Sequence, residues 1–164
     1  IKALIRKGFI ERVGEPGRPR SLRVTQEATE TLYDDNIVGV PILGRIAAGV
    51  PLLAEENYEG MLRLDACMLP PGGNVFALMV QGDSMIEDGI HDGDHLFVRQ
   101  KSDARDGEIA VVMVDGEATV KRVYREGSRL RLQPANSAME PIIVDRSSGD
   151  VSVIGVAVGV FRRI

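Results

Sequence analysis

Apolar and polar residues alternate at short spacing along most of this chain, and no long stretch carries the apolar period of an amphipathic helix. From about Val38 onward the pattern is strand-like. VFALMV (75–80), HLFVR (95–99), EIAVVMV (108–114), ATVKRVY (118–124), RLRLQ (129–133), PIIV (141–144) and VSVIGVAVGVF (151–161) are separated by turn residues. The sequence Val114-Asp115-Gly116-Glu117 predicts a tight hairpin, because Asp-Gly accepts the positive backbone angles of a type I′ turn. Residues 38–164 therefore predict an all-β body.

The first residues follow a different pattern. Residues 1–7 read as the last turns of a helix, with Gly8 placed as its C-terminal cap. Residues 9–13 predict a strand, GEPGRPR a turn, and residues 21–25 a returning strand. Helix, strand, basic tip and strand match the end of a winged helix-turn-helix. The earlier helices of such a domain are expected ahead of Ile1, so residues 1–25 read as a truncated remnant of a DNA-binding domain. QEATETLYDDN is polar and acidic, and residues 26–37 are read as a linker. The predicted organisation is mainly β: an all-β C-terminal domain (38–164) behind a truncated winged helix-turn-helix remnant.

Charge sharpens this division. Residues 1–33 hold seven basic and four acidic residues, a net of about +3, against about −7 for the rest and −4 for the whole chain. A basic head on an acidic body suits a head that meets a polyanion. Lys2, Arg6, Lys7, Arg18 and Arg20 are the candidates for phosphate contacts, although charged helix ends and solvated hairpins are also commonly basic. With 4% aromatic residues and no Trp, a binder of single strands by base stacking is disfavoured. No stretch reads as a signal peptide or membrane helix. The single cysteine, Cys67, allows no internal disulfide and fits a cytoplasmic protein. It is expected to be a partly buried small hydrophobe, and Met79 and Met113, within strands, are expected in the core.

Candidate chemistry sits in three places. MVQGDSMIEDGIHDGD (79–94) puts Ser84 after a strand and a Gly-Asp, where its backbone N–H can face a cleft. Lys121 lies in ATVKRVY, and strand alternation puts Thr119, Lys121 and Val123 on one largely apolar face. Desolvation there would lower its pKa and make it a neutral general base, which a serine nucleophile requires. A serine in a turn also serves as a cap, and a lysine in a hairpin also remains solvated, so these residues alone leave both readings open. The third place is GRIAAGVPLL (44–53), apolar throughout, broken by Gly and Pro, and too short to span a membrane.

GRIAAGVPLLAEE, VQGDSMIEDGIHDGD and DGEATVKRVYREGSRLRLQPANSAMEPIIV together closely resemble the LexA-type SOS repressors. KALIRKGFIERV ahead of them and VIGVAVGVFRRI behind fit the same family, so the resemblance covers nearly the whole chain in order. It implies a self-cleaving Ser-Lys protease domain with Ser84 as nucleophile, Lys121 as general base and the Ala48–Gly49 bond as substrate. The backbone N–H of Met85 is implied as an oxyanion donor. Ala47 and Ala48 suit narrow pockets, Gly49 a sharp turn, and Val50, Pro51 and Leu52 an apolar cleft. The resemblance further implies stimulation by a RecA filament on single-stranded DNA, operator DNA as a partner of the longer protein, and a two-fold dimer. VSVIGVAVGVF is the expected dimer region, as an exposed apolar edge. Tethering makes the substrate locally concentrated, so control must come from a resting form that keeps the loop away from Ser84.

Other residues carry less. His91 and His95 flank an Asp-Gly-Asp turn but lack further ligands, so neither metal nor cofactor is expected. Asp83, Asp88, Asp92 and Asp94 read as turn formers. A related phage-type repressor and a non-catalytic β dimerisation module are the alternatives. A mutagenesis-polymerase subunit is disfavoured by the winged remnant, and a signal peptidase by the lack of an anchor.

Overall fold

A computed structural model describes residues 2–13, 21–25, 36–44, 46, 52, 54, 57–148 and 151–164. The chain divides into two compact units, Ile1–Val38 and Gly39–Ile164.

In the first unit, helix α1 (Lys2–Arg6) ends at Gly8, whose φ of 78° is the left-handed value a C-terminal cap needs. Gly8 N–H donates to the Ile5 carbonyl (3.1 Å) and Phe9 N–H to the Leu4 carbonyl (3.0 Å), closing the helix end. Strands β1 (Ile10–Val13) and β2 (Ser21–Val24) pair antiparallel, with Ile10 opposite Val24. The hairpin tip (14–20), with Arg18 and Arg20, and most of the expected linker (26–35) lie outside the described residues.

The second unit is mainly β, as the alternation predicts. Its strands are β3 (Ile37–Leu43), β4 (Tyr58–Asp65), β5 (Val75–Met79), β6 (His95–Gln100), β7 (Ile109–Val114), β8 (Glu117–Glu126), β9 (Arg129–Gln133), β10 (Ile142–Asp145) and β11 (Val151–Phe161). They form one nine-stranded sheet in the order β10-β9-β8-β7-β11-β6-β5-β3-β4. The β7–β8 hairpin turns on Asp115 (φ 50°) and Gly116 (φ 85°), both in the positive region a type I′ turn demands.

The run of apolar residues in β7 has a simple cause. Val111 and Met113 pack into one core cluster with Phe76, Leu78, Leu96 and Val98, while Ala110 and Val112 pack into a second with Val123, Leu132 and Val156. A strand covered on both faces has no polar side to alternate.

Strand β11 corrects an expectation. It is not an exposed edge: its first part pairs with β7 and its second with β6, with register shifts between Val153 and Gly155 and between Ala157 and Gly159. Double pairing places it in the middle of the sheet. Met79 and Cys67 also depart from expectation. Met79, the last residue of β5, is 48% exposed, and Cys67 is exposed in the short turn after β4. Strand ends outrun the layer that would cover them, whereas Met113, inside β7, is buried.

Candidate functional site

Ser84 lies in the segment between β5 and β6, and backbone pairing closes that segment at its base. Val80 N–H donates to the Asp94 carbonyl (2.8 Å), and Gly93 N–H donates to the Val80 carbonyl (2.9 Å). Gly82, at φ 85°, turns the chain and donates its N–H to the Asp92 carboxylate (2.7 Å). A 3-10 turn (Ile86–Asp88) follows, capped by Gly89 at φ 77°. Met85 is the anchor of this stretch. Its side chain is buried in the larger core cluster, and its carbonyl accepts from the N–H groups of Asp88 (3.1 Å) and Ile90 (3.2 Å). With Met85 fixed inside, Ser84 is held half-buried beside it.

Lys121 comes from β8, opposite Ala110 of β7, and is 7% exposed. Its Nζ lies 2.8 Å from Ser84 Oγ, 2.9 Å from Thr119 Oγ1 and 2.9 Å from the Val120 carbonyl. Thr119 and Lys121 meet because residues two apart share a strand face. Burial of the ammonium lowers the Lys121 pKa below the usual lysine value.

A loop after β9 braces Ser84 from another side. Asn136 Nδ2 donates to the Asp83 carbonyl (3.0 Å), and Asn136 Oδ1 accepts from Ala138 N–H (2.9 Å). Glu87 N–H donates to the Ala135 carbonyl (2.8 Å), and the Glu87 carboxylate accepts from Ser137 N–H (2.7 Å). Arg122, next to Lys121, reaches Asp88 Oδ1 and the Gly107 carbonyl, each at 2.7 Å. The elements bearing Ser84 and Lys121 are thus joined by polar contacts on several sides.

Ala48 and Gly49 lie outside the described residues. Ile46 and Leu52, which bracket them, pack against the same core cluster that buries Met85. The Leu52 carbonyl accepts from Asn57 Nδ2 (3.1 Å), and Leu52 lines a cavity of about 600 Å³ with Asn74, Gln100, Lys101 and Ile154. Lys2, Arg6 and Lys7 are exposed on and just after α1. Among the described residues no group of His, Cys, Asp or Glu side chains is arranged to hold a metal, and no helix is long and apolar enough to cross a membrane.

Sequence reading missed four residues here. Asn136, Arg122, Arg162 and the buried role of Asp94 all depend on partners far along the chain. Asp94 is not merely a turn former: it is fully buried, and the Arg162 guanidinium neutralises it.

Residues 41–158 match the family described as Peptidase S24-like. The chain is 48% identical to the LexA repressor of Myxococcus xanthus (strain DK1622), across all of this chain and 77% of that protein. It is 44% identical to the LexA repressor of Anaeromyxobacter dehalogenans (strain 2CP-C), across all of this chain and 80% of that protein. With the LexA repressor of Bacillus subtilis (strain 168) it shares 43% identity, over 96% of this chain and 74% of that protein. The chain belongs to the Peptidase S24-like family and is of the LexA type.

Proposed function

We propose that this chain is an SOS transcriptional repressor that inactivates itself by hydrolysing its own Ala48–Gly49 bond. Ser84 is the nucleophile and Lys121 the general base. The observation that carries this reading is the 2.8 Å contact between Lys121 Nζ and Ser84 Oγ at a buried lysine. A neutral amine has two N–H donors and one lone pair. The three partners of Nζ suit that inventory: Thr119 Oγ1 and the Val120 carbonyl accept, and the lone pair receives the Ser84 proton.

In the first step Ser84 Oγ attacks the Ala48 carbonyl carbon as its proton passes to Lys121. The negative charge that develops on the carbonyl oxygen falls to the backbone N–H groups of Ser84 and Met85, neither of which donates to another group among the described residues. Collapse breaks the C–N bond, and Lys121 returns its proton to the Gly49 amine. The ester on Ser84 is then hydrolysed by a water that Lys121 deprotonates, which frees the Ala48 carboxylate and restores the serine.

Control is conformational. The bond is cleaved in only one form of the chain, which a RecA filament on single-stranded DNA favours. The organisation that goes with this reading is a winged-helix remnant at 1–25, a linker at 26–37 and a protease and dimerisation domain at 38–164. Lys2, Arg6, Lys7, Arg18 and Arg20 contact operator phosphates in the longer protein. A homodimer seals the exposed side chains of Met79, Val160 and Phe161, and a monomeric mass in sedimentation at micromolar concentration would refute that assembly.

The decisive experiment is incubation of the purified chain at alkaline pH beside Ser84→Ala. Mass spectrometry should find fragments 1–48 and 49–164, formed at a rate independent of protein concentration, and neither fragment in the variant. An intact wild-type chain after prolonged incubation would favour the non-catalytic dimerisation module instead.

A further inference from the structure

The segment that carries Ser84 is held by a charge pair remote from it in sequence. Asp94 closes the segment at its base, and its side chain is fully buried. Its two carboxylate oxygens receive a fork from Arg162: Nε to Oδ1 at 2.6 Å and Nη2 to Oδ2 at 2.7 Å. Oδ2 also accepts the backbone N–H of His91 (2.8 Å), and Arg162 Nη2 reaches further to the Gly89 carbonyl (2.9 Å). Arg162 and the His91 N–H thus meet Asp94 from two sides, and one guanidinium touches both Gly89 and Asp94.

We propose that Arg162 is a positioning residue for the reaction at Ser84, acting through Asp94 and Gly89. The proposal rests on the reading of Ser84 and Lys121 as the self-cleaving pair. Geometry limits what else the pair can be. A fully buried carboxylate is retained at a cost unless its geometry is well satisfied, and Asp94 satisfies it with a residue just past β11 as well as with the local His91 N–H. The clamp grips residues 89–94 from outside the segment, while Met85 grips it from inside. Ser84 directly precedes the inner hold. If the outer hold is released, the 3-10 turn can shift relative to β8, the Ser84–Lys121 contact lengthens, and water reaches Nζ. A shift on the order of 1 Å at reacting atoms is enough to slow a reaction roughly 100-fold.

The test uses the full chain as Arg162→Gln, Asp94→Asn and the double variant, measured by self-cleavage across alkaline pH, thermal unfolding and amide exchange over residues 80–94. Arg162→Gln should slow cleavage roughly 10- to 100-fold and move the pH–rate inflection to higher pH, as a rehydrated Lys121 regains its proton. The single variant strands a buried carboxylate and can unfold, so the double variant is decisive: it removes that charge along with the clamp. Positioning requires the double variant to melt near the wild type yet remain slow, with faster exchange in the segment. A double variant that is as stable and cleaves as fast as the wild type, with an unmoved inflection, overturns the proposal. If the wild type itself does not cleave, the Ser84–Lys121 reading falls and the positioning role with it.

Discussion

Lys121 Nζ sits 2.8 Å from Ser84 Oγ although β8, which carries Lys121, and β5, which leads into Ser84, lie in different halves of the sheet. On the proposed reading, the contact ties the rate of self-cleavage to the protonation of one buried amine, whose pKa burial has lowered. Cleavage should accelerate about tenfold per pH unit below that pKa and level off above it. Lys121→Arg should not cleave at any pH, because a guanidinium does not deprotonate in this range. A rate that stays flat from pH 7 to about 10 would remove Lys121 from the role of base.

The same lowered pKa predicts a stability effect, best read in a Ser84→Ala background that cannot cleave. Between the lowered folded value and the unfolded value of 10.5, the folded chain binds fewer protons at Lys121 than the unfolded chain does. Stability should therefore rise with pH through that window, and the burial penalty should be fully present below it. Adding Lys121→Met removes the charge while keeping the length of the side chain. That variant should be at least as stable at pH 7, with its advantage shrinking as pH rises toward 10.5. Denaturant midpoints at several pH values give the comparison, and an advantage that grows with pH contradicts it.

Thr119 is placed to tune the proposed base. Its Oγ1 accepts from Lys121 Nζ at 2.9 Å, and a hydrogen bond to an ammonium favours the charged form. Thr119→Val should move the pH–rate inflection to lower pH while reducing the plateau, since Nζ loses one of its tethers. A shift to higher pH would mean that Thr119 acts differently.

Asn136 braces the turn before Ser84. Both ends of its buried amide are used, one at the Asp83 carbonyl (3.0 Å) and one at Ala138 N–H (2.9 Å). Asn136→Ala should cost about 1–3 kcal/mol of stability, because it removes two hydrogen bonds worth about 0.5–1.5 kcal/mol each, and should slow cleavage. Calorimetry and a cleavage time course measure the two effects, and unchanged values in both would leave Asn136 without a part in the site.

Gly155 lies where β11 changes partners, paired with Gln100 of β6 and Val111 of β7. A Cβ there would meet the Arg99 carbonyl oxygen at 2.5 Å and Val98 Cγ1 at 2.6 Å. Gly155→Ala should destabilise the second unit by about 1–3 kcal/mol through overpacking, which chemical denaturation would show. An unchanged midpoint would mean that the sheet opens there without strain.

Much of this molecule is legible in its sequence where the signal is local. The Asp115-Gly116 turn follows from backbone angles that few residue pairs accept, and residues 151–161 form β11 as the apolar run suggests. The spacing of Thr119 and Lys121 likewise places both on one face. Strand β4 was harder to read, because in YEGMLRLD the inward positions are only half-buried and polar residues fill the rest. The double pairing of β11 cannot be read from its own residues, since a central strand and an exposed apolar edge share one composition. Least legible of all are the long-range pairs. Nothing local tells Asp94 from Asp92, yet one is clamped by Arg162 at a separation of 68 residues while the other caps Gly82. That clamp holds the Asp94 carboxyl at about 2, a perturbation no linear pattern announces.

In the sheet, β11 lies between the half that carries Lys121 and the half that leads into Ser84. It also follows every other strand of that sheet in chain order. During synthesis, β5, β6, β7 and β8 all leave the ribosome before the strand that seats them side by side. On the reading proposed above, a nascent chain therefore holds Ser84, Lys121 and residues 44–53 while lacking the ladder that aligns the strands around them. On that reading fold topology acts as a clock, and the proposed self-cleavage waits until β11 has joined β6 to β7.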